Sequence, residues 1–546
     1  MPKTLFLGLD ISTQSLTAVA VEPRAGEPRQ FSIHFDSAYP YYGTRGGVPP
    51  SDDPLQARVN PLMWMEALDD MLRLLQKNGL TQRVACVGVS AQQHGTVYLN
   101  RHAAARIGAL SPSIGLAAGL PDIFSRPVSP IWMDSSTTPE CREIAAATGG
   151  NSALARLTGS VATERFAGPQ IRKFWKEDRD AYGRTAHIAL VSSFMTSLLI
   201  GRLAPVDAGD GFGTNLADVR AGAWSDAAIE AVAPGLKAKL PGLRVKDEIV
   251  GRVSPYLVQR FGFRPGTEVV IGSGDNPCSL AGLGLIGVPE ARAVSLGTSD
   301  TCFGYMPSLA DGEPGEGHIF GAADGGCMFL VCFRNGSLAR ERVKDCFGLN
   351  WNEFSRILLE TRPGNRGRIM LPYFMPEITP VIPDAGVRRF GGLAEDDAAG
   401  NVRAVAEAQA MALYLHSEWA GPRPERIFVT AGGSENKGLL RVIADVFGVE
   451  VQTREVKESA ALGAALRAAC AWKSGHGSPA GWEELYKAFF VSDAGRIVRP
   501  SADAARCYHA PNGLLAAYAA CERFARGEGP DPEARIRNFR SAFPGS

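Results

Sequence analysis

The chain opens with two apolar, β-rich segments on either side of a short polar stretch. Hydrophobic residues fill LFLGL and LTAVAV, and the polar stretch runs from Asp10 to Ser15. Apolar runs of this kind, bounded by turn residues, are typical of paired strands. The pattern therefore predicts a β-hairpin with Asp10 at the start of its turn.

A helix and then a buried strand are predicted next. Between Asn60 and Gly79, apolar residues recur at the spacing of one helical face, namely Leu62, Met65, Leu68, Leu72 and Leu75. Gly79 is a typical helix stop. The segment RVACVGVS then predicts a buried strand that ends in the polar loop AQQHG. This succession of strands and helices indicates an α/β fold.

The second half of the chain repeats this succession of strands and helices. Strand EVVIGSG leads to the polar turn DNP, and strands AVSLG and TCFGY enclose the turn TSD. Further on, the segments RAVAEAQAMALYLHSEWA, RIFVTAGG and NKGLLRVIADVFG predict a helix, a strand and a helix. The likeness of DISTQS to SLGTSD is short, and alone it is weak evidence for duplication.

Proline and glycine mark the predicted boundary between the two halves. They punctuate residues 241–255, which places one domain at 1–250 and a second at 251–500. Residues 501–546 are expected to form a helical extension with a loosely attached tail. Residues 101–128, rich in Ala, Gly and Pro, are expected to be an exposed insertion.

Length and charge narrow the class of protein. The chain has 546 residues, more than the roughly 250–300 at which one hydrophobic core stops growing, so two domains are expected. The 57 basic residues balance the 57 acidic residues, and 45% of the chain is hydrophobic. Balanced charge gives no electrostatic support for a nucleic-acid or membrane partner. The expected partner is a small molecule.

The ten cysteines and the apolar runs bear on the compartment. The cysteines are scattered without a CxxC pair, which disfavours a zinc site and a disulfide framework and is typical of reduced thiols. No apolar run reaches the ~18 residues of a membrane span. The opening segment MPKTLFLGLD has too short an apolar run for a signal peptide. A cytoplasmic protein is expected.

Two polar turns are candidates for phosphate binding. The first contains Thr13 and Gln14 beside Asp10, and the second consists of Gly297, Thr298 and Ser299. Hydroxyls, amides and backbone N–H groups gathered in one turn can surround an anion, although ordinary polar turns have the same composition. Two such turns opening two successive α/β halves are what a nucleotide clamp between domains requires.

Asp275 is the candidate acid–base residue. It follows a predicted strand and precedes Asn276 and Pro277, so its side chain could simply cap a helix. A carboxylate at the carboxyl end of a strand, facing a cleft between domains, could instead take a proton from a substrate hydroxyl. Polar loop residues His94 and Arg165 leave the same choice open, because surface and capping roles are common.

A glycine turn joins the strand RIFVTAGG to the next helix. Gly432 and Gly433 could let a flat heterocycle or a ribose lie against the backbone. The chain contains neither a GxGxxG fingerprint nor a GxxxxGK[ST] loop. A Rossmann dehydrogenase and a P-loop kinase are therefore disfavoured.

Nine motifs in one order give the chain a family resemblance. They are DISTQS, SAQQHG, SPIWMDSSTT, TERFAG, LVSSFMTSLL, DAGDGFGTNL, GSGDNP, VSLGTSD and VTAGGSENKGLLRVIADVFG. From about residue 5 to about residue 470, the chain resembles the FGGY carbohydrate kinases. Within that family it is most similar to the animal-type branch that acts on xylulose, because it has QQHG and WMDSS where many bacterial members have a methionine before the histidine and a WNDxR segment.

The resemblance implies an architecture and a set of site residues. The expected fold has two actin-like ATPase domains, each built on a ribonuclease-H-like sheet with flanking helices, around a cleft that binds ATP and sugar. Asp275 is expected to be the general base, and Asp10 to position Mg²⁺. The remaining implied roles are phosphate binding by Thr13, Gln14, Gly297, Thr298 and Ser299; sugar binding by His94, Arg165, Asp275 and Asn276; and adenine-nucleotide binding by Trp351, Gly432, Gly433 and Asn436.

The activity implied by the resemblance is ATP-dependent phosphorylation of D-xylulose at its 5-hydroxyl, by a monomer or a homodimer. A family member acting on ribulose, glycerol or another polyol is the alternative within the class. A catalytically silent nucleotide-binding regulator is a further alternative, which the carboxylate at Asp275 disfavours. An actin-like assembly ATPase would need an extended self-association surface, and the balanced charge gives no sign of one.

Overall fold

Two seven-stranded sheets organise the chain in a computed structural model that describes residues 4–23, 28–309, 315–454, 456–489 and 495–545. The strands of the first sheet are β1 Leu5–Ile11, β2 Ser15–Val21, β3 Arg29–His34, β4 Val84–Ala91, β5 Ile249–Arg252, β6 Glu268–Val270 and β7 Ser273–Gly274. Those of the second sheet are β8 Ala291–Leu296, β9 Asp300–Met306, β10 His318–Gly321, β11 Cys327–Phe333, β12 Arg426–Thr430, β13 Glu450–Thr453 and β14 Ile497–Val498.

The two sheets share one topology. In the first, the neighbours run β3-β2-β1-β4-β6, and in the second they run β11-β9-β8-β12-β13. The first three strands of each series are antiparallel, and the following two are parallel to their neighbours. The repeated succession of strands and helices predicted from the sequence is therefore a structural duplication. Both predicted hairpins, β1-β2 and β8-β9, are present.

The first sheet extends further along the chain than the sequence suggested. Strands β5, β6 and β7 belong to it, because β6 and β7 pair with β4 and β5 pairs with β6. The predicted division at residue 250 falls inside this sheet. Sheet membership instead divides the chain between β7 and β8, near residues 283–290.

Helices cover both sheets. Those of seven or more residues are α1 Pro61–Lys77, α2 Thr138–Ala147, α3 Asn151–Thr158, α4 Ala167–Glu177, α5 Val191–Ile200, α6 Asp226–Val232, α7 Pro255–Phe261, α8 Asp275–Gly282, α9 Ser337–Cys346, α10 Trp351–Glu360, α11 Ala398–Leu415, α12 Lys437–Phe447, α13 Ser459–Gly475, α14 Trp482–Phe489, α15 Ala502–His509, α16 Leu514–Ala525 and α17 Glu533–Ala542. Helix α1 buries most of its predicted face, whereas Leu62 is only partly buried.

Short elements complete the structure. Helices of four to six residues span Phe35–Ala38, Ala103–Gly108, Leu116–Gly119, Arg179–Arg184 and Ala208–Gly211. Six two-stranded ladders pair Arg58–Val59 with Ser129–Pro130, Thr96–Asn100 with Thr185–Leu190, Val206–Asp207 with Leu243–Arg244, Ala217–Asp218 with Ala223–Trp224, Ile369–Tyr373 with Gly386–Phe390, and Glu377–Ile378 with Val381–Ile382.

Helix α13 returns from the second half of the chain to pack on the first sheet. Its residues Ala461, Leu462 and Leu466 lie in the same core as β1 and β4. The approach requires glycine, because a Cβ on Gly8 of β1 or Gly88 of β4 would overlap the α13 backbone. The two halves are thus joined through packed helices as well as through the chain.

Two segments expected at the surface are packed into cores. The tail helix α17 buries Ile536 and Phe539 completely in the core of the second sheet, so the predicted loose attachment is wrong. In the segment 101–128, Ile107, Leu116 and Ile123 are buried in the core of the first sheet, so this insertion is not simply exposed.

Among the described residues, none of the ten cysteines forms a disulfide. Among the described residues, no helix has the length and apolar character needed to cross a membrane.

Candidate active site

Asp10 lies at the carboxyl end of β1, directly opposite Ser90 of the parallel strand β4. The Ser90 hydroxyl donates a hydrogen bond to Asp10 Oδ1 at 2.5 Å. Burial raises the pKa of Asp10 to about 6, the Ser90 hydrogen bond opposes this rise, and the negative charge of Glu458 adds to it. Asp10 is therefore a largely desolvated carboxyl group at a sheet edge, where positive charge would be favoured.

Asp275 begins helix α8 immediately after β7, which pairs with β4. Gly274 is the N-cap, so Asp275 is the first residue of the helix and does not occupy the cap position. Burial raises the pKa of Asp275 to about 7, and the charge of Asp10 raises it further, while backbone N–H groups of Asn276 and Gln93 lower it. A carboxyl group that titrates near neutrality can act as a general base.

His94 is held as a neutral imidazole. Its Nδ1 lies 2.8 Å from the carbonyl oxygen of Gly213, which can only accept, so Nδ1 carries the proton and Nε2 is an acceptor. Burial, together with the positive charge of Arg165, keeps the pKa of His94 well below its usual range. The ring stacks on Phe166 at a centroid distance of 4.3 Å, in a left-handed backbone conformation with φ +70°.

Arg165 is oriented by a residue that the sequence analysis did not identify. Its Nη2 donates to Nε2 of His318 at 3.3 Å, and the other ring nitrogen of His318 lies 3.1 Å from the Ser160 hydroxyl. Burial and the Arg165 charge lower the pKa of His318 to about 3, so His318 stays neutral and accepts from the guanidinium. His318 comes from β10 of the second sheet, a contact that no local sequence pattern reveals.

Asn276 connects the candidate base to the loop that carries His94. Its amide nitrogen Nδ2 donates to Asp275 Oδ1 at 3.0 Å and to Gln93 Oε1 at 2.6 Å. The four residues expected to bind sugar therefore form two pairs. Asn276 donates a hydrogen bond to Asp275, and Arg165 acts electrostatically on His94. A pocket of about 550 Å³ opens beside Arg165 and His318, with Trp132 in its wall.

A second pocket, of about 750 Å³, collects the residues expected to bind nucleotide. It is large enough for a cofactor-sized ligand. The predicted residues among those that line it are Gly297, Thr298, Trp351, Gly432, Gly433 and Asn436. These residues come from the β8-β9 turn, the start of α10 and the β12-α12 loop, so the structure brings together segments that are far apart in sequence.

The residues of this nucleotide pocket differ in the surface and the hydrogen-bonding groups that they present to a ligand. Trp351 is 40% exposed, and its ring packs edge-on against Phe354. Gly432 has open space where a side chain would be, whereas Gly433 is pressed against Leu296. Asn436 uses its side-chain oxygen to cap α12 through Leu439 N, so only its amide group is left for a ligand.

The other phosphate candidates lie outside the lining of this pocket. Thr13 Oγ1 accepts a hydrogen bond from the Trp132 indole N–H at 2.8 Å, Gln14 is exposed on the same turn, and Ser299 is exposed on the β8-β9 turn. Gly47 packs on Thr13 so closely that a Cβ would overlap the Thr13 carbonyl. Thr13 and Gln14 thus form a braced turn on the first sheet, and the nucleotide pocket lies against the second.

Asp10 fits the requirements of a magnesium ligand. Within the described ranges, no three His, Cys, Asp or Glu side chains form a cluster able to hold a metal by themselves. Mg²⁺ is usually held by one or two carboxylates together with substrate phosphates and water. A buried carboxylate whose pKa is raised by desolvation matches that pattern.

Asp210 is a second residue that the sequence analysis missed, although its motif DAGDGFGTNL was noted. The side chain is 1% exposed and accepts from the Ser192 hydroxyl at 2.5 Å. Burial keeps the pKa of Asp210 well above its usual range, and the charges of Asp207 and Asp275 add to this rise.

Comparison with known proteins decides the family. The profiles of the FGGY family of carbohydrate kinases match residues 125–282 with the N-terminal domain and 293–472 with the C-terminal domain. The xylulose kinase of Rattus norvegicus is 43% identical over 477 residues, which cover 85% of this chain and 87% of that relative. The chain belongs to the FGGY family of carbohydrate kinases. Within this family, it is also 41% identical over 494 residues to xylulose kinase 2 of Arabidopsis thaliana, covering 86% of this chain and 88% of that relative.

The FGGY fold is shared with solved structures. The xylulose kinase from Rhodospirillum rubrum superposes with a TM-score of 0.78 at 19% identity, covering 96% of this chain and 99% of that chain. Together with the repeated strand order, this likeness confirms the predicted pair of actin-like ATPase domains. The two matched FGGY segments also leave the break between residues 282 and 293, where the first sheet ends.

Proposed function

We propose that this FGGY kinase transfers the γ-phosphate of ATP to the 5-hydroxyl of D-xylulose, giving D-xylulose 5-phosphate and ADP. The observation that carries the proposal is the partly buried hydrogen bond from Asn276 to Asp275, whose carboxyl group also interacts electrostatically with a second carboxyl group, Asp10. The relatives at 41–43% identity support xylulose as the sugar.

Asp275 is the proposed general base. It takes the proton of the sugar hydroxyl while that oxygen forms a bond to the γ-phosphorus of ATP. The bond from the γ-phosphorus to the β,γ-bridging oxygen breaks, and ADP leaves with the electron pair of that bond. Positioning and electrostatic stabilisation carry most of the catalysis in phosphoryl transfer, so the raised pKa of Asp275 matters because it matches the base to neutral pH.

Sugar recognition is assigned to donors and acceptors of fixed polarity. Arg165 supplies donors, since its guanidinium cannot accept, and it is steadied by His318. His94 Nε2 supplies an acceptor because its Nδ1 is engaged by Gly213. A ligand with several hydroxyl groups satisfies both kinds of partner.

The nucleotide is assigned to the 750 Å³ pocket on the second sheet. Gly432 offers open backbone, and the exposed face of Trp351 offers apolar contact for a base. Gly297 and Thr298 are assigned to the phosphates from this side, with Ser299 on the same turn, and Thr13 and Gln14 from the first sheet. Asp10 would hold Mg²⁺, which neutralises phosphate charge when it is bound.

The cytoplasm is the proposed location, in agreement with ten cysteines that form no disulfide. A monomer or a homodimer is the proposed assembly.

ADP release by the purified protein with Mg-ATP tests the substrate. Parallel reactions contain D-xylulose, D-ribulose, glycerol, D-gluconate or no sugar, and release is expected with xylulose well above the other four. Release with a different sugar would leave the kinase assignment in place but would overturn His94 and Arg165 as xylulose ligands. Bound ATP without release on any sugar would favour a regulator instead.

A further inference from the structure

Two backbone carbonyls behind the sugar site face side chains of the AQQHG loop. The carbonyl oxygen of Gly209 lies 3.0 Å from Gln93 Nε2, and that of Gly213 lies 2.8 Å from His94 Nδ1. A carbonyl oxygen can only accept a hydrogen bond. Both side chains must therefore turn a donor toward this segment, which leaves Oε1 of Gln93 and Nε2 of His94 as acceptors.

The hydrogen bond from Gln93 to Gly209 fixes which atom of Gln93 faces Asn276. With Nε2 on the Gly209 carbonyl, the amide oxygen Oε1 is directed at Asn276 Nδ2, which donates at 2.6 Å. The same Nδ2 also donates to Asp275 Oδ1 at 3.0 Å. Because both neighbours are acceptors, the NH₂ group of Asn276 is fully used, and among the described residues no group donates to its Oδ1.

The conformation of Gln93 is fixed by packing. The side chain is 2% exposed, and a Cβ on Gly274 would overlap it. A buried amide wedged in this way cannot exchange its oxygen and nitrogen without leaving the Gly209 carbonyl facing another acceptor. The Gly209–Gln93–Asn276 series therefore has one stable orientation.

We propose that Gln93 is a positioning residue of the sugar site, which holds the Asn276 amide so that its carbonyl oxygen accepts a hydroxyl of the sugar. The inference rests on the proposed function, because Asn276 is a sugar ligand only in that proposal. It adds a specific requirement: the sugar must place a hydroxyl donor at Asn276, as it must at His94 Nε2.

The arrangement also bears on the base. The Asn276 Nδ2 group favours the ionised form of Asp275, because a hydrogen bond to a carboxylate stabilises its charge. A freely rotating Asn276 would leave Asp275 less well stabilised. Loss of Gln93 should therefore move the acidic limb of kcat/KM to higher pH as well as weaken sugar binding.

The test compares Gln93→Met, which keeps the length of the side chain but cannot relay polarity, with wild type. Sugar affinity is measured by calorimetry without ATP, using whichever sugar of the panel supports ADP release. We expect affinity to fall about 3- to 10-fold, the scale of one hydrogen bond. The KM for ATP should stay unchanged, and the acidic limb should move upward. Gln76→Met, an exposed change on α1, is the matched control and should match wild type on each measure.

A double-mutant cycle with Asn276→Ala separates positioning from general damage. If Gln93 acts through Asn276, Gln93→Met should cost little further affinity in the Asn276→Ala background. Full additivity, or wild-type affinity and pH profile in Gln93→Met, would overturn the proposal. If Gln93→Met does not fold, Gln93→Leu also removes both the donor to Gly209 and the acceptor for Asn276, and it should show the same pattern.

Different results would contradict the proposed substrate and the proposed role of Gln93. ADP release with a sugar other than xylulose would contradict the proposed substrate and leave the cycle to judge Gln93. A panel in which no sugar supports release would contradict both.

Discussion

At the scale of single residues, Asp275 and Asp10 share one desolvated environment. Burial is the largest cause of both raised pKa values, about 7 for Asp275 and about 6 for Asp10, and the charge of Asp10 adds to the rise at Asp275. Because the two groups interact, their titration belongs to the pair. An acidic limb close to neutral pH is therefore expected in kcat/KM.

Replacing Asp275 by Asn removes the proposed base but keeps a hydrogen-bonding side chain of the same shape. We expect kcat to fall by ~10² or more, the scale of a lost general base, while sugar affinity changes little. Steady-state kinetics and calorimetry measure the two effects. Asp226→Asn, in an exposed pair with Lys237, is the matched control. Turnover near that of wild type would remove Asp275 from the mechanism.

Asp275→Asn should be more stable than wild type at high pH. The pKa of Asp275 is raised from 3.8 to about 7 in the folded protein, so between these values the folded state binds more protons than the unfolded state. Stability therefore falls as pH rises through this window. The Tm of Asp275→Asn should exceed that of wild type above about pH 7, and the difference should shrink toward about pH 4. A difference that grows as pH falls would contradict the raised pKa.

The sequence predicts some candidate site residues and not others, depending on how far along the chain their partners lie. Asp10, Asp275 and His94 were predicted because each belongs to a motif in an ordered set. His318 and Gln93 were not, since the importance of His318 depends on Arg165, 153 positions away, and that of Gln93 on Asn276, 183 positions away. A single sequence contains no local signal for such contacts.

At the scale of elements, the crossing of α8 and α13 positions Asp275, the proposed base. Helix α8 begins with Asp275, and α13 packs across it. A Cβ on Gly463 of α13 would overlap the backbone carbonyl of Cys278, and one on Gly282 of α8 would overlap that of Ser459. Backbone-to-backbone contact of this kind leaves no flexible side chain to yield.

Gly463→Ala should therefore displace α8. We expect a loss of about 1–3 kcal/mol in unfolding free energy, as in overpacked cores, together with lower kcat. Thermal or urea unfolding and steady-state kinetics measure the two effects. Gly475→Ala, at the end of the same helix with open space around it, is the control and should be neutral or slightly stabilising. Equal behaviour of the two variants would contradict a tight crossing.

Elements with strong local periodicity were predicted correctly. The hairpin β1-β2 and helices α1, α11 and α12 have clear apolar patterns, and α12 also has its cap at Asn436. The attachment of the tail helix α17 was predicted wrongly because only two of its residues, Ile536 and Phe539, are buried, within an otherwise charged segment. The segment DNP allows two interpretations from sequence, a polar turn and a helix start, and the second is correct because DNP forms the first turn of α8.

At the scale of the whole molecule, the duplication places one candidate ligand site on each sheet. The candidate sugar ligands gather mainly on the first sheet, and the nucleotide pocket lies on the second. The resemblance predicted this architecture. The domain boundary was misplaced because β6 pairs with β4, and pairing between strands so distant in sequence depends on tertiary packing rather than on local pattern.

The most direct test of this account is the product formed from D-xylulose and Mg-ATP. Phosphorus and carbon NMR should identify xylulose 5-phosphate and ADP in equal amounts with wild type, and Asp275→Asn should form the same product at least ~10² more slowly. Release of inorganic phosphate without a sugar phosphate, or phosphate at another sugar position, would contradict the account.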